Sequence, residues 1–83
     1  MLKIGDLVYT KNNGREWVYE IIRVDKDKPN PYKGIIIWVR TSNKFPTRIF
    51  PIVGKDCTFK MDSKHFPYRK KLDSLDDLMV EVI

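Results

Sequence analysis

The side chains best suited to catalysis or metal binding in this sequence are its single cysteine, Cys57, and its single histidine, His65. Asp62 lies between them in the sequence. A closed zinc site needs four ligands, usually with more cysteine and histidine than this chain has. A nucleophilic cysteine needs an orienting group and an oxyanion hole, which the thin core of an 83-residue chain can hardly pre-organise. We therefore expect a buried or half-buried thiol and a surface imidazole, with no metal and no cofactor.

Paired carboxylates occur at Asp25/Asp27 and again at Asp76/Asp77. General acid–base catalysis needs a carboxyl group with a perturbed pKa in a cleft. The first pair belongs to a loop of alternating charge and the second to the first turn of a short helix. Neither pair has a basic or nucleophilic partner at a recognisable spacing, and the sequence has no glycine-rich phosphate-binding loop. These observations predict a non-catalytic binding module and not an enzyme.

Positive charge is concentrated in one part of the sequence. The net charge is +5, but residues 40–71 contain nine basic and two acidic residues, whereas residues 72–83 contain four acidic residues and no basic one. Each phosphate that a basic side chain neutralises releases counterions, so a basic segment of this kind attracts polyanions in a salt-dependent way. The densest run of bases is Arg69-Lys70-Lys71.

Aromatic residues lie among these bases, with Trp38 close to Arg40 and Tyr68 next to Arg69. Exposed aromatic rings stack the bases of single-stranded nucleic acid, each contributing about 1–3 kcal/mol, while cations follow the backbone. The pattern predicts a surface that binds DNA or RNA. Its residues are Trp38, Arg40, Arg48, Lys60, Lys64, Tyr68, Arg69, Lys70 and Lys71.

The large aromatic residues have a second interpretation. Trp38, Phe45 and Phe66 could belong to the core, because a small domain needs every large side chain that it can bury. Regular alternation along a strand favours exposure of Trp38, since it places this ring on the face opposite Ile37 and Val39. Both interpretations stay open from the sequence alone.

The partner also has a second interpretation, because aromatic residues near arginine are typical of the hot spots of protein interfaces. The composition resembles that of small phage proteins, which would suit an inhibitor that docks on an acidic surface of a larger protein. Neither the kind of nucleic acid nor the oligomeric state can be read from the sequence.

The elements that position these residues begin with a hairpin. Asn13-Gly14 lies between two β-prone runs, and an Asn-Gly pair favours a type I′ turn, in which both central residues have positive φ. Because the charged pair Lys11 and Glu16 then shares one face, the opposite face is predicted to be the core side. The predicted pairs are Lys11 with Glu16, Thr10 with Trp17, Tyr9 with Val18 and Val8 with Tyr19, and the predicted core face carries Val8, Trp17, Tyr19 and Ile21.

The rest of the chain is predicted as short strands separated by turns. The second strand ends at Val24, and the proline-rich segment 25–34 is predicted as a loop, because proline removes a backbone donor and restricts φ. Ser74 is predicted to cap one helical turn over residues 74–78. Further strands are predicted at residues 35–41, near 47–53, at 57–61 and at 79–83.

The opening segment, in which Gly5-Asp6 precedes an apolar strand, resembles the first strand of SH3-like small barrels, a group that includes KOW-type and Tudor-type modules. The resemblance covers about the first 25 residues and the rhythm of the strands. With that rhythm, it implies one domain over residues 1–83, a mostly β, SH3-like barrel of four to five short antiparallel strands with one helical turn near the C-terminus. Such modules bind nucleic acid or protein segments across a strand face or loop rim.

Three features of the sequence predict a cytoplasmic protein with no membrane partner. The longest uninterrupted apolar run, residues 35–39, is far shorter than the ~20 residues of a membrane-spanning helix. The N-terminal residues lack the apolar core of a signal peptide. A single cysteine cannot form a disulfide within the chain.

Overall fold

Five antiparallel strands form one sheet in the computed structural model, which describes residues 1–41, 52–62 and 68–78. They pair in the order β4-β3-β2-β1-β5, and one helical turn follows at residues 76–78. This architecture confirms the prediction of a mostly β chain with short antiparallel strands and a helical turn near the C-terminus. The strands are β1 Leu7–Asn12, β2 Arg15–Val24, β3 Tyr32–Thr41, β4 Asp56–Phe59 and β5 Tyr68–Leu72.

The first hairpin turns where the sequence predicts. Asn13 has a φ of 52° and Gly14 a φ of 78°, so both central residues lie in the left-handed region that a type I′ turn requires. Lys11 pairs with Glu16, and the whole register from there to Val8 and Tyr19 is the predicted one.

The principal core lies on the predicted face of the hairpin. The rings of Tyr19 and Phe59 stack with their centroids 4.5 Å apart. The sheet curls enough for its two end strands to touch, because the guanidinium carbon of Arg69 in β5 lies 5.3 Å from the ring centroid of Phe59 in β4. The buried members of this core are Leu2, Val8, Trp17, Tyr19, Ile21, Tyr32, Ile36 and Phe59.

The other face of the sheet carries a second, smaller core. Its buried residues are Tyr9, Val18, Leu72 and Leu78. The helical turn brings Leu78 onto this face, and the predicted N-cap is confirmed because the Asp76 N–H donates to Ser74 Oγ at 3.2 Å. The sheet is therefore covered on both faces, and Val18, at the middle of the second face, has no exposed surface.

Strand β3 departs from the prediction at both its start and its centre. It begins at Tyr32, because the loop ends at Pro31 and the following residues pair with β2 and β4. In the middle, Val18 pairs with Trp38 but Tyr19 pairs with Ile36, so Ile37 is an extra residue that forms a β-bulge. Ile37 and Trp38 consequently pack on the second face together, which corrects the expectation that they lie on opposite faces.

Later parts of the chain fulfil the predictions only in part, because β5 lies in a stretch for which the sequence predicts no strand. The strand predicted at residues 57–61 is β4, shifted by one residue and shorter. Of the strand predicted near 47–53, Ile52 and Val53 lead into a turn in which the Gly54 N–H donates to the carbonyl of Ile36 at 2.7 Å. The strand predicted at 79–83 lies outside the described residues, as do Phe45 and Phe66. None of the helical residues that the structure describes forms a segment long and apolar enough to span a membrane.

Candidate nucleic-acid interface

Eight residues form two rows across four strands on the second face of the sheet. The pairing of β3, β2, β1 and β5 aligns each row perpendicular to the strands. With strands about 4.8 Å apart, each row spans about 14 Å from β3 to β5. We call these residues the aromatic–basic face; one row is Trp38, Val18, Tyr9 and Lys70, and the other is Arg40, Glu16, Lys11 and Tyr68.

A carboxylate lies at the centre of this face. Glu16 accepts two hydrogen bonds from Arg40, from Nε at 2.8 Å and from Nη2 at 2.7 Å, and a third from the Tyr9 hydroxyl at 2.5 Å. The hydrogen bonds from Arg40 hold the pKa of Glu16 below its ordinary value of 4.5, against the opposing effect of burial, and the Tyr9 hydroxyl acts in the same direction as Arg40. The bidentate contact fixes the plane of the guanidinium group.

Arg40 also contacts the indole of its neighbour in the other row. Its guanidinium carbon lies 5.4 Å from the ring centroid of Trp38, within the distance of a cation–π interaction. Trp38 itself is half-buried against the second core. One edge of the face therefore presents an indole and a guanidinium whose relative positions are set by Glu16.

At the opposite edge, β5 supplies a second aromatic and basic pair. The rings of Tyr9 and Tyr68 meet edge to face with centroids 6.4 Å apart, and Lys70 Nζ lies 5.9 Å from the Tyr9 ring centroid. Tyr68 remains 46% exposed, so a planar ligand can reach its ring. Tyr9 is buried, and its ring is packed against Tyr68 and Lys70.

Four of the predicted site residues meet on this face: Trp38, Arg40, Tyr68 and Lys70. The run Arg69-Lys70-Lys71 does not act as one cluster, because neighbours in a strand point to opposite faces. Arg69 lies over Phe59 in the principal core, and Lys71 Nζ lies 3.9 Å from the Asp6 carboxylate.

Of the three remaining predicted bases, one lies among the described residues. Lys60 follows β4 and is exposed. Arg48 and Lys64 lie outside the described residues.

Sequence reasoning missed four members of the face: Tyr9, Lys11, Glu16 and Val18. The hairpin register already places them on one face, so that signal was present in the sequence. What the hairpin alone could not reveal is the partner of Glu16, because Arg40 lies on β3, beyond a loop and a bulge.

Of the residues first considered for catalysis, Cys57 and Asp62 lie in the described part of the structure. Cys57 is half-buried, as expected, and its thiol donates to the Tyr19 hydroxyl at 3.0 Å. Among residues 1–41, 52–62 and 68–78, no three histidine, cysteine or acidic side chains are grouped to hold a metal ion. His65 lies outside these ranges.

Comparisons of the chain with protein-family models, with curated proteins and with solved structures found no match. The resemblance of the opening segment to SH3-like barrels therefore stays a prediction. The geometry defines a class of site: a curved antiparallel sheet with aromatic and basic side chains aligned across one face.

The Glu16 network makes a testable contribution to stability. Glu16→Gln is expected to lower the free energy of unfolding at neutral pH by about 1–3 kcal/mol, because the charge-assisted bonds to Arg40 are weakened. Since the folded-state pKa is depressed, this contribution is present above pH 4.5 and is lost as the pH falls through the lower folded-state value. Urea unfolding at neutral and acidic pH measures it.

The matched control for this prediction is Glu20→Gln, which removes the same charge from the same strand and the same side of the sheet, one row outside the aromatic–basic face. The wild type should approach the stability of Glu16→Gln as the pH falls, whereas its difference from Glu20→Gln should change less. A difference between the wild type and Glu16→Gln that stays constant down to pH 3 would contradict the assigned role of the Glu16 carboxylate.

Proposed function

We propose that this chain is a non-catalytic module that binds nucleic acid through the aromatic–basic face. The observation that carries the proposal is the alignment of two aromatic residues, Trp38 and Tyr68, with three cations on one sheet face. The cations are Lys11, Arg40 and Lys70.

The electrostatics of the face support a polyanionic ligand. Its single acid, Glu16, already accepts two hydrogen bonds from Arg40, so its charge is compensated locally. The remaining lysines, Lys11 and Lys70, lie in adjacent strands and in different rows of the face. They can follow a sugar-phosphate backbone while the rings contact bases, and the net charge of +5 adds a long-range attraction.

A salt titration tests the proposal. We expect binding to DNA or RNA at about 50 mM salt that weakens linearly on a log–log plot as salt rises. The double variant Lys11→Ala/Lys70→Ala should reduce the magnitude of the slope by about 1–2, since each phosphate contact contributes about 0.7–0.9. Fluorescence anisotropy with labelled oligonucleotides measures both quantities.

The matched control removes two lysines from the loop that joins β2 and β3, Lys26→Ala/Lys28→Ala. This variant has the same net charge as the first, but Lys28 pairs with Asp25 at 3.1 Å and both lysines lie beyond the end of β2 that is distant from Glu16. It should leave the slope close to that of the wild type. Absence of binding to every nucleic acid at about 50 mM salt would overturn the proposal.

A protein-interaction function, such as that of a small inhibitor, is the second candidate, and one observation favours it. The N-terminal segment leaves Met1 81% and Ile4 71% exposed beside a shallow groove of about 490 Å³. Lysines on its rim would suit an acidic protein partner. The groove is lined by Met1, Leu2, Lys3, Ile4, Val24 and Lys26. This function would be favoured if the chain captures a specific protein from lysate after nuclease treatment and the Ile4→Asp variant does not.

A further inference from the structure

We infer that the ligand of the aromatic–basic face is a single-stranded nucleic acid that crosses the β-strands, with one base against Tyr68 and another against Trp38. This inference rests on the proposed function and names its substrate class and path. It follows from the positions of the two rings, from what covers the remainder of the face, and from the planar aromatic surfaces that the rings present.

The two rings lie at diagonal corners of the face. Tyr68 is in β5 at one end of its row, and Trp38 is in β3 at the opposite end of the other row. Three strand spacings of about 4.8 Å and one two-residue step of about 6.7 Å separate their backbone positions by roughly 16 Å. At 3.4 Å per nucleotide this distance corresponds to about five stacked nucleotides, and to fewer when the strand is extended.

The helical turn determines the direction in which a bound strand can cross the face. Leu75 and Leu78 pack in one cluster with Leu72, Tyr9 and Val18, so the second face is covered from its far end as far as the Val18 row, and Asp76 and Asp77 are exposed on this cover. A polyanion that ran parallel to the β-strands would meet this apolar cover and these carboxylates. A polyanion that crosses the strands meets Lys70, Lys11 and Arg40 instead. The carboxylate on that path, Glu16, is paired with Arg40.

Stacking on this face requires unpaired bases. In a duplex the faces of the bases are covered by their neighbours, and a recognition helix or β-ribbon must enter a groove to read their edges. The described residues contain only one helical turn, which carries acidic side chains, and the β1–β2 hairpin is flanked by β3 and β5, so it is not a free ribbon. A sheet with flat rings at two corners suits splayed bases, because every base has a π-face that an aromatic side chain can contact.

Arg40 is the positioned cation of this site. Glu16 holds its guanidinium in a fixed plane through two hydrogen bonds, and the indole of Trp38 lies against it at 5.4 Å. A pre-organised guanidinium loses little conformational entropy when it contacts a phosphate or a base. Glu16 is therefore a positioning residue that acts through Arg40.

A length series of oligothymidylates and oligouridylates, with duplexes of equal length and inorganic polyphosphate as probes, tests the inference. We expect the single strands to bind at least tenfold more tightly than the duplexes, with affinity rising steeply up to about five nucleotides and slowly beyond. Tyr68→Ala should weaken binding by about fivefold to 150-fold, and Tyr68→Phe should retain it because the ring remains.

Tryptophan fluorescence reports the second contact without a substitution. Trp17 is only 4% exposed, so quenching on addition of oligonucleotide reports a base against Trp38. Trp38→Phe should remove the quenching and retain part of the affinity. Binding without quenching, or equal affinity for duplex and single strand, would overturn the inference and leave the proposed function intact. Equal affinity for polyphosphate and for single strands would also overturn the inference, because base stacking would then contribute nothing to binding.

Discussion

Gly34→Ala is expected to lower the free energy of unfolding by about 2–3 kcal/mol. A Cβ at this position would lie 2.8 Å from Tyr19 Cβ and 3.1 Å from Phe59 Cε1. Tyr19 Cβ is held by the backbone of β2, and its ring is stacked on Phe59, so neither neighbour can withdraw cheaply. The added methyl must therefore separate β2 from β3 or break the ring stack. Urea unfolding followed by tryptophan fluorescence measures the loss.

The sign of this effect distinguishes Gly34 from an ordinary glycine. Where alanine fits, replacing glycine stabilises a protein by about 0.4–1 kcal/mol through the entropy of the unfolded chain. Thr58→Ala, at an exposed position of the adjacent strand β4, is the control and should change stability by less than about 0.5 kcal/mol. A Gly34→Ala protein as stable as the wild type would show that the stack does not need this gap.

The hairpin was predictable from the sequence because its determinants are local. Asn13-Gly14 specifies a turn whose two residues both adopt positive φ, and the turn then specifies the register of every pair back to Val8. Ser74 is a local determinant of the same kind, since an N-cap acts within the first turn of a helix. Signals confined to a few consecutive residues can be interpreted without any knowledge of the tertiary structure.

The composition of the site depended on non-local features that the sequence does not display. The bulge at Ile37 places Trp38 on the second face, and nothing in an uninterrupted apolar run marks which residue is the extra one. The basic run of β5 was misleading for the opposite reason. Adjacent residues of a strand point apart, so Arg69 and Lys71 are separated from Lys70, whose neighbours on the face come from strands far away in the sequence.

Raising the pH from about 9 to 12 is expected to remove about 2–3 kcal/mol of stability through one buried phenol, that of Tyr19. Burial, followed by the hydrogen bond with Cys57, raises the pKa of Tyr19 from 10.0 to about 12. The unfolded chain releases this proton near pH 10, whereas the folded chain holds it until about pH 12. The stabilisation is therefore complete below pH 10 and is lost as the pH rises through the folded-state value.

Comparison with Tyr19→Phe isolates this effect from every other group that titrates in alkali. The variant loses the hydrogen bond from the Cys57 thiol and should be about 1 kcal/mol less stable at neutral pH, but its stability should fall less steeply above pH 10. Cys57→Ala removes the thiol and leaves the phenol buried. It should retain most of the alkaline loss, because burial is the larger cause of the raised pKa. Parallel curves for the wild type and Tyr19→Phe, recorded by urea unfolding from pH 8 to 12, would show that the Tyr19 phenol ionises as readily in the folded chain as in the unfolded one.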